Sequence, residues 1–569
     1  MAVNDRFEAL WKTFVVDGNH SESDYFGLIR KLLQEKKRGN DGIQERLEAV
    51  YRLVEDEIIT HTGVPVTEIK FGTSGWRGVL GKDISINSVK TVTTAIIKVY
   101  ESIEEKPELK RYLGVTGLDE ARHRGCLLGF DNRFGGALIG RELADFLLEY
   151  GFNVYYCGET TTGVMSAAQL KLDAAFSINL TPSHNPLEYG GYKFNAADAG
   201  PAAADVTRLI TTWSRELVKK ELPKPDGNVP GELQEVDSFA LWQDFVRENS
   251  GVHGIVYDRL MTRVAGSDIQ IVIDSMHGAS RLHMAELLGP AAARMIHLRA
   301  EEDVSFGGIA PEPSSANMTG VVERLNGVSA PLKIGAIIDP DGDRIRFTDG
   351  TTEIAMNQFG ALAYYFLHEE KGKKGMVAKT VATSNMANSV AAGLGEDVFE
   401  PPVGFKEFKP VIGKALVFFE ESDGISIIGH TPEKDAYIGL LLALDMMVST
   451  GKNLGQLLEG LEKRFGIFCP DRDGVEVQLR GEELLTALQG LERYEVGVGV
   501  TIGPVEKRIK EINKKDGRKM IFEDGSWIMI RPSGTEPKVR FYVESRDPEG
   551  TKDLVATARL MLREIGVLS

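Results

Sequence analysis

The sequence predicts an α/β protein of several domains that ends in an α+β unit. Three observations lead there. At 569 residues the chain is too long for a single core, and the usual domain size of about 100–200 residues implies three to five domains. From residue 85 to about 215, apolar strands alternate with helices, the order of βαβ units and a mixed or parallel sheet. Beyond Pro470 the order becomes strand, helix and then several strands, which is α+β in character.

Residues 1–64 read as a charged helical extension. Phe7, Leu10, Trp11 and Phe14 have helical spacing, as do Ile43, Leu47, Val50 and Val54. Glu35-Lys36-Lys37-Arg38-Gly39-Asn40 is a solvated turn between them. The extension either caps the first domain or mediates self-association, and capping is the preferred reading. The first α/β unit, 65–222, holds a helix over 89–103, a strand over 126–130, a helix over 140–150 and a strand over 154–157. Ala174 to Leu180 is a continuous apolar run, the pattern of a buried strand. Pro223, Pro225, Gly227, Pro230 and Gly231 mark a linker. A second α/β unit, 223–350, starts its strands at 269–273, and a third occupies 351–465. The α+β unit takes 466–569. No internal sequence repeat is visible.

Composition narrows the class. Hydrophobic residues at 42% and charged residues at 26% are ordinary for a globular protein. A net charge of −17 argues against binding nucleic acid or an acidic membrane, since phosphate backbones are repelled. It leaves room for a small phosphorylated ligand, which needs only local positive charge. Cys126, Cys157 and Cys469 are scattered without a Cys-x-x-Cys pair, so neither zinc nor a disulfide framework is indicated. Met1 to Lys12 lacks a signal-peptide pattern, and the apolar run 437–444 is far short of the ~20 residues of a membrane helix. The default is a cytoplasmic protein.

Three loops carry the chemistry. In Thr181-Pro182-Ser183-His184-Asn185-Pro186, two prolines fix a serine on a rigid loop beyond a core strand, a good setting for a nucleophile. The bland alternative is a turn. In Asp339-Pro340-Asp341-Gly342-Asp343-Arg344, three carboxylates at alternate positions follow the strand 334–338. They repel one another unless a cation sits among them, and hard oxygen ligands suit Mg²⁺ or Ca²⁺. An EF-hand fails, because its sixth and twelfth positions would be Arg344 and Gly350. In Arg531-Pro532-Ser533-Gly534-Thr535-Glu536-Pro537, followed by Arg540, a guanidinium, hydroxyls and a glycine make a phosphate cradle or a polar turn between strands 527–530 and 539–543.

Together these loops resemble those of the α-D-phosphohexomutase superfamily. Three further segments agree. Gly72-Thr73-Ser74-Gly75-Trp76-Arg77-Gly78 is similar to the family's N-terminal Gly-Thr-Ser-Gly-x-Arg-Gly, Gly404-Phe405-Lys406 to its Gly-Phe-Lys, and Glu420-Glu421-Ser422 to its sugar-reading Glu-x-Ser. All stand in family order between residues 71 and 540. Gly190-Gly191-Tyr192-Lys193-Phe194-Asn195 and Gly200-Pro201-Ala202 look most like bacterial phosphoglucomutases.

The resemblance implies four domains around a central cleft, the first three of one topology. It implies a monomeric or homodimeric isomerase that interconverts glucose 1-phosphate and glucose 6-phosphate through glucose 1,6-bisphosphate, which also serves as activator. Ser183 would carry the transferable phosphate. Asp339, Asp341 and Asp343 would hold Mg²⁺ against an oxygen of that phosphate. Arg344 and Lys193 would balance charge. Lys193 would act as base or acid if burial lowers its pKa, with Arg77 beside it. Arg133 would lie near the phosphoserine. His184 is a possible base, but neighbouring side chains diverge in an extended loop, so a loop-positioning role is favoured. Glu420 and Ser422 would read sugar hydroxyls. Arg531, Ser533, Gly534, Thr535, Lys406 and Arg540 would hold the phosphate that is not reacting.

Three departures bear on which hexose is used: Phe419 where the family has Gly, Asp423-Gly424 without a His, and Ala436 where Lys-Asp-Gly is usual. Phosphomannomutase or another hexose specificity, a bisphosphate synthase or phosphatase, and a silent sugar-phosphate sensor are the alternatives.

Overall fold

The computed structural model of the chain describes residues 3–40, 42–72, 75–225, 229–533 and 538–568. Its strands form four sheets, and the first three share one connectivity. In each, the first strand lies between the second and third, all parallel, and a fourth returns antiparallel beside the third. These four are Cys126–Phe130, Val154–Glu159, Phe176–Leu180 and Tyr189–Asn195 in the first sheet. They are Ile269–Asp274, Met295–Leu298, Leu332–Ile338 and Ile345–Thr348 in the second, and Val377–Lys379, Val398–Phe399, Val417–Glu420 and Gly424–Ile427 in the third. The repeat that sequence comparison does not reveal is therefore present in the topology. Strands buried on both faces need only be apolar, which leaves little to compare.

The fourth sheet is wholly antiparallel. Its six strands run in the order Cys469–Glu476, Lys538–Ser545, Trp527–Pro532, Arg518–Phe522, Val505–Asn513, Gly499–Ile502. The helix Pro548–Glu564 packs on it, with Leu554, Ala558, Met561 and Leu562 buried. This is the α+β unit the sequence predicts.

Two boundaries differ from those read in the sequence. Leu233–Glu235 pairs in parallel with Val154–Glu159, so the chain is still building the first sheet beyond residue 222. Glu353–Ile354 pairs with Ile345–Thr348, so the second sheet continues beyond 350. Both strands are only two or three residues long, too short for a period-2 pattern to show. The second and third units also share one apolar core, in which Trp242, Ile271, Phe347, Phe359 and Tyr437 are fully buried.

The extension forms helices Val3–Phe14, Tyr25–Lys37 and Ile43–Thr60. Glu35 to Lys37, read as part of a solvated turn, instead close the second helix, where Glu35 is buried and accepts from Asn40 at 2.6 Å. Asp24 caps the second by accepting from the Gly27 amide at 2.8 Å. The stripe Ile43, Leu47, Val50, Val54 is at most 5% exposed and belongs to the core of the first unit. Each such side chain contributes roughly 1.5–3 kcal/mol relative to exposure. Lys82 of the first unit adds an ion pair to buried Glu57 at 2.6 Å. The extension thus packs on the first unit. Among the described residues, no helix is long and apolar enough to cross a membrane.

Candidate active site

The hairpin that joins the third and fourth strands carries, in successive units, Ser183, the Asp339–Asp343 loop and the turn after Glu420. One topological position, used three times, brings the predicted loops together. Ser183 is fully buried and adopts φ 58°, a left-handed conformation that is strained for a side-chain-bearing residue. Its amide donates to Thr181 Oγ1 at 2.8 Å. Arg133 holds the loop from below, donating to the carbonyls of Pro186 and Ser183 at 2.6 Å each and to that of Asn185.

The Ser183 hydroxyl donates to Asp339 Oδ2 at 2.7 Å and lies 3.5 Å from Asp343 Oδ1. Asp339, Asp341 and Asp343 are all buried, with one oxygen from each lying within 4.8 Å of the others. Gly342 turns the loop at φ 64°, and a Cβ there would lie 2.7 Å from Thr161 Cγ2, so glycine alone fits. Lys193, on the strand beside Ser183, donates to Asp341 Oδ2 at 2.5 Å and Asp343 Oδ2 at 3.1 Å.

Charge in this buried cluster is uneven. Burial, with the Asp341 and Asp343 charges, lifts Asp339 well above the usual carboxylate range. Burial also acts against the charge of Asp343, but Lys193, Lys434 and Arg344 outweigh it and hold that carboxyl well below the usual range. Lys193 does not follow the expectation of a pKa lowered by burial. Burial does oppose its charge, yet Asp341 and Asp343 prevail and hold the ammonium above its ordinary value. Arg344 behaves alike, with Asp343, Asp339 and Glu312 offsetting its burial.

His184 corrects a second expectation. Because Ser183 is left-handed rather than extended, the two side chains do not diverge, and His184 Nδ1 lies 3.3 Å from the Ser183 hydroxyl. Burial first, then Arg344 and Arg77, keeps this imidazole neutral by pushing its pKa well below the usual range.

Above the cluster opens a cleft of about 580 Å³. Arg77, His184, Arg344, Lys406, Glu420, Ser422, Arg531, Ser533 and Arg540 all line it. Ser183 and Lys193, predicted to act on the sugar directly, do not: Ser183 is fully buried, and Lys193 lines a smaller pocket with Asp343 and Lys434. Gly534 and Thr535 lie outside the described residues. Arg77 donates to Asn185 Oδ1 at 2.9 Å. Ser422 donates to Glu420 Oε1 at 2.7 Å. Arg531 and Arg540 stand directly opposite each other on paired strands.

Several participants escape the sequence reading. Lys434 bridges Asp343 Oδ2 at 3.1 Å and Glu420 Oε1 at 3.4 Å, joining the acidic loop to the loop after Glu420. Its signal was the Lys-Asp dipeptide, read only as part of a departure. Thr162 donates to Asp341 Oδ2 at 2.9 Å, and Asp516 pairs with Arg531; single polar residues in ordinary segments give no signal. Two of the three departures have structural answers. Phe419 is buried on the far side of its strand against Gly360, where a Cβ would lie 2.3 Å from the ring. Asp423 takes φ 71° and pairs with Arg346 at 2.6 Å.

The acidic loop fits a divalent cation. Asp341 Oδ1 is buried without a hydrogen-bond partner among the described residues, and hard oxygen donors suit Mg²⁺. A cation there would also relieve the repulsion that lifts Asp339.

Family models for phosphoglucomutase/phosphomannomutase match four stretches of the chain. These are α/β/α domains I, II and III over residues 68–220, 250–352 and 356–465, and the C-terminal domain over 482–560. A protein of Methanosphaera stadtmanae named "probable phosphoglucosamine mutase" is 26% identical over 508 residues, 87% of this chain and 98% of its own. A phosphoglucomutase of Komagataeibacter xylinus is 26% identical over 531 residues, 85% of this chain and 88% of its own. The crystal structure of parafusin, a phosphoglucomutase from Paramecium in its open form, shows the same fold with a TM-score of 0.67 at 21% identity, over 89% of this chain and 96% of that one.

Proposed function

Because the chain belongs to the α-D-phosphohexomutase superfamily, and so is a mutase, we propose that it interconverts glucose 1-phosphate and glucose 6-phosphate in the cytoplasm, with Ser183 as the carrier of the phosphoryl group. One observation carries this reading. The Ser183 hydroxyl stands 2.7 Å from Asp339, beneath a cleft that Glu420, Ser422, Arg531 and Arg540 line from the other side. The preference for glucose rests on the likeness of Gly190–Asn195 and Gly200-Pro201-Ala202 to bacterial phosphoglucomutases.

Phosphorylated Ser183 gives its phosphoryl group to the free hydroxyl end of the bound hexose phosphate. The Ser183 Oγ–P bond breaks as the sugar O–P bond forms, and the proton of the sugar hydroxyl passes to the freed Ser183 Oγ, giving a bisphosphate; the return transfer runs the same exchange in reverse. The bisphosphate turns over in the cleft and returns its other phosphoryl group to Ser183 Oγ. A serine ester thus divides one difficult transfer into two easier ones. Asp339, Asp341 and Asp343 would hold Mg²⁺, which when bound neutralises charge on the transferring group.

The protein's own groups do the rest. Arg133 fixes the Ser183 loop through three carbonyls. Lys193, held protonated, serves as cation and as acid toward the departing sugar oxygen. Phosphoryl transfer of loose character demands little deprotonation of the attacking hydroxyl, so a strong base is not needed. Glu420 and Ser422 read sugar hydroxyls, and Lys434 ties them to the acidic loop. Arg531, Ser533 and Arg540, with Lys406, grip the phosphate that is not reacting, whichever end faces Ser183.

Catalytic efficiency toward glucose, mannose, glucosamine and N-acetylglucosamine phosphates, measured with Mg²⁺, tests the reading. Glucose phosphates should be preferred. Preference for glucosamine or mannose phosphates overturns the hexose assignment and leaves the serine chemistry standing.

A further inference from the structure

The helical extension precedes every stretch matched by the family models, which begin at residue 68. Its core holds one residue from the second unit among those described: Phe306. This side chain is 1% exposed and stands on a loop that leaves the second sheet after Met295–Leu298. Helix Tyr25–Lys37 packs against the turn Phe306–Gly308. Leu33 covers Gly308, so that a Cβ there would meet its Cδ1 at 3.4 Å.

The turn is built to present that ring. Phe306 itself has φ 52°, and Gly307 and Gly308 follow at 64° and 70°. Glycine takes a left-handed backbone freely, but that of Phe306 is costly unless something holds it. Asp303 does so, accepting from the Ser305 amide at 2.9 Å, the Ser305 hydroxyl at 2.5 Å and the Gly307 amide at 3.0 Å. Tyr51 of the extension faces Asp303 and Ser305 and stacks on Phe134 with ring centroids 5.0 Å apart. Phe134 is the next residue after Arg133.

The Arg133 guanidinium lies over the Phe306 ring, 4.7 Å from its centroid. The other face of Arg133's work is the Ser183 loop, whose three carbonyls it binds. An unbroken series of contacts therefore runs from the extension through Phe306 and Arg133 to a serine held in a strained conformation. Asn132 adds a second tie between the units, donating to the His277 carbonyl at 2.6 Å.

We propose that Phe306 is a positioning residue for the reaction: the extension seats its ring under Arg133, and the seated ring fixes the guanidinium that sets the Ser183 loop. The proposal rests on Ser183 as the phosphoryl carrier. It gives residues 1–64 a part in catalysis without contact with substrate. The distal phosphate grip on the fourth sheet is untouched by this series, so turnover should suffer and substrate affinity should not.

Phe306→Leu retains bulk and removes the aromatic face; Phe306→Ala removes both. Both are assayed for kcat and KM, with hydrogen exchange followed on residues 181–189. Phe306→Leu should keep cooperative unfolding. Its kcat should fall about 10-fold or more, since small misplacements of a reacting group cost that much. KM for hexose 1-phosphate should stay near wild type, and amides of the Ser183 loop should exchange faster. Ser183→Ala separates the two ideas. If it stays active, the phosphoserine reading fails whatever Phe306 does. If it is inactive while folded Phe306→Leu shows wild-type kcat and unchanged loop exchange, the positioning role is overturned and the reading of the site stands.

Discussion

Ser183 and Asp339 meet across a unit boundary, the hydroxyl of one donating to Oδ2 of the other at 2.7 Å. Neither sheet alone contains the reacting geometry. The first provides a strained, buried hydroxyl and the second an acidic loop poised against it. Ser183→Ala should retain the fold, because the substitution removes one hydroxyl without leaving a large cavity, although the left-handed backbone persists. Turnover should be nearly abolished. Intact-mass analysis should show a phosphate adduct on wild type that the mutant lacks, and unchanged turnover in the mutant would sink the phosphoserine mechanism.

Asp341 offers the next test. Its Oδ2 already serves Lys193 and Thr162, while Oδ1 has no partner among the described residues. Asp341→Asn keeps the shape and removes the charge. We expect weaker Mg²⁺ dependence, slower turnover and little change in sugar affinity. Magnesium titration of activity, alongside calorimetric metal binding, checks this. Full activity of wild type after thorough chelation would refute the metal assignment.

The loops were legible in the sequence because their chemistry is local. Ser183 between prolines, alternate aspartates and the Arg531 loop each announce themselves within a few residues. What brings them together was not legible. The shared connectivity of three sheets depends on pairings between distant strands, and apolar runs such as Ile334–Ile338 do not specify their neighbours. Lys434, Asp516 and Phe306 act only through such long-range contacts. The closeness of the His184 and Ser183 side chains is not legible, because the left-handed φ of Ser183 has no sequence signature when the residue is not glycine.

Lys519 gives a pH-dependent prediction at the junction of the third and fourth sheets. It is 1% exposed, donates to the Val381 carbonyl at 2.8 Å and lies 4.0 Å from the Trp527 ring centroid. Burial, then the charge of Lys379, lowers its pKa from 10.5 to about 7, against the opposing pull of Glu400, Glu544 and Glu511. Between about pH 7 and the unfolded value of 10.5, the unfolded chain therefore binds the extra proton. Stability should rise with pH across that window, by at most about 1.4 kcal/mol per pH unit from this one group. Below about pH 7 both states are protonated and the full penalty remains. Lys519→Met should flatten the rise, seen by comparing denaturant unfolding of both proteins from pH 7 to pH 9.5. Equal slopes would show that Lys519 keeps an ordinary pKa in the folded protein.

Arg531 provides the last test, and its setting sharpens what to expect. Asp516 accepts from Arg531 Nε at 3.1 Å with one oxygen and from the Val403 amide at 3.0 Å with the other. One carboxylate thus anchors the guanidinium to the segment that leads into Gly404-Phe405-Lys406 on the third unit, and Lys406 lines the same cleft. A guanidinium fixed in this way can grip two phosphate oxygens at once, which an ammonium cannot. If it holds the non-reacting phosphate in both half-reactions, it also retains the bisphosphate while that intermediate turns. Arg531→Ala should then raise KM for glucose 1-phosphate and let more glucose 1,6-bisphosphate escape per turnover, so that activity depends more on added bisphosphate. Arg531→Lys should restore only part of the loss, because a point charge lacks the fork. Asp516→Asn should give a milder form of the same defect, since it loosens the anchor and leaves the fork in place. Steady-state kinetics with and without added bisphosphate, plus direct measurement of released bisphosphate, separates these effects. Wild-type KM with no added bisphosphate requirement in Arg531→Ala would place the residue outside the substrate grip and reduce its strand pair with Arg540 to a structural feature of the fourth sheet.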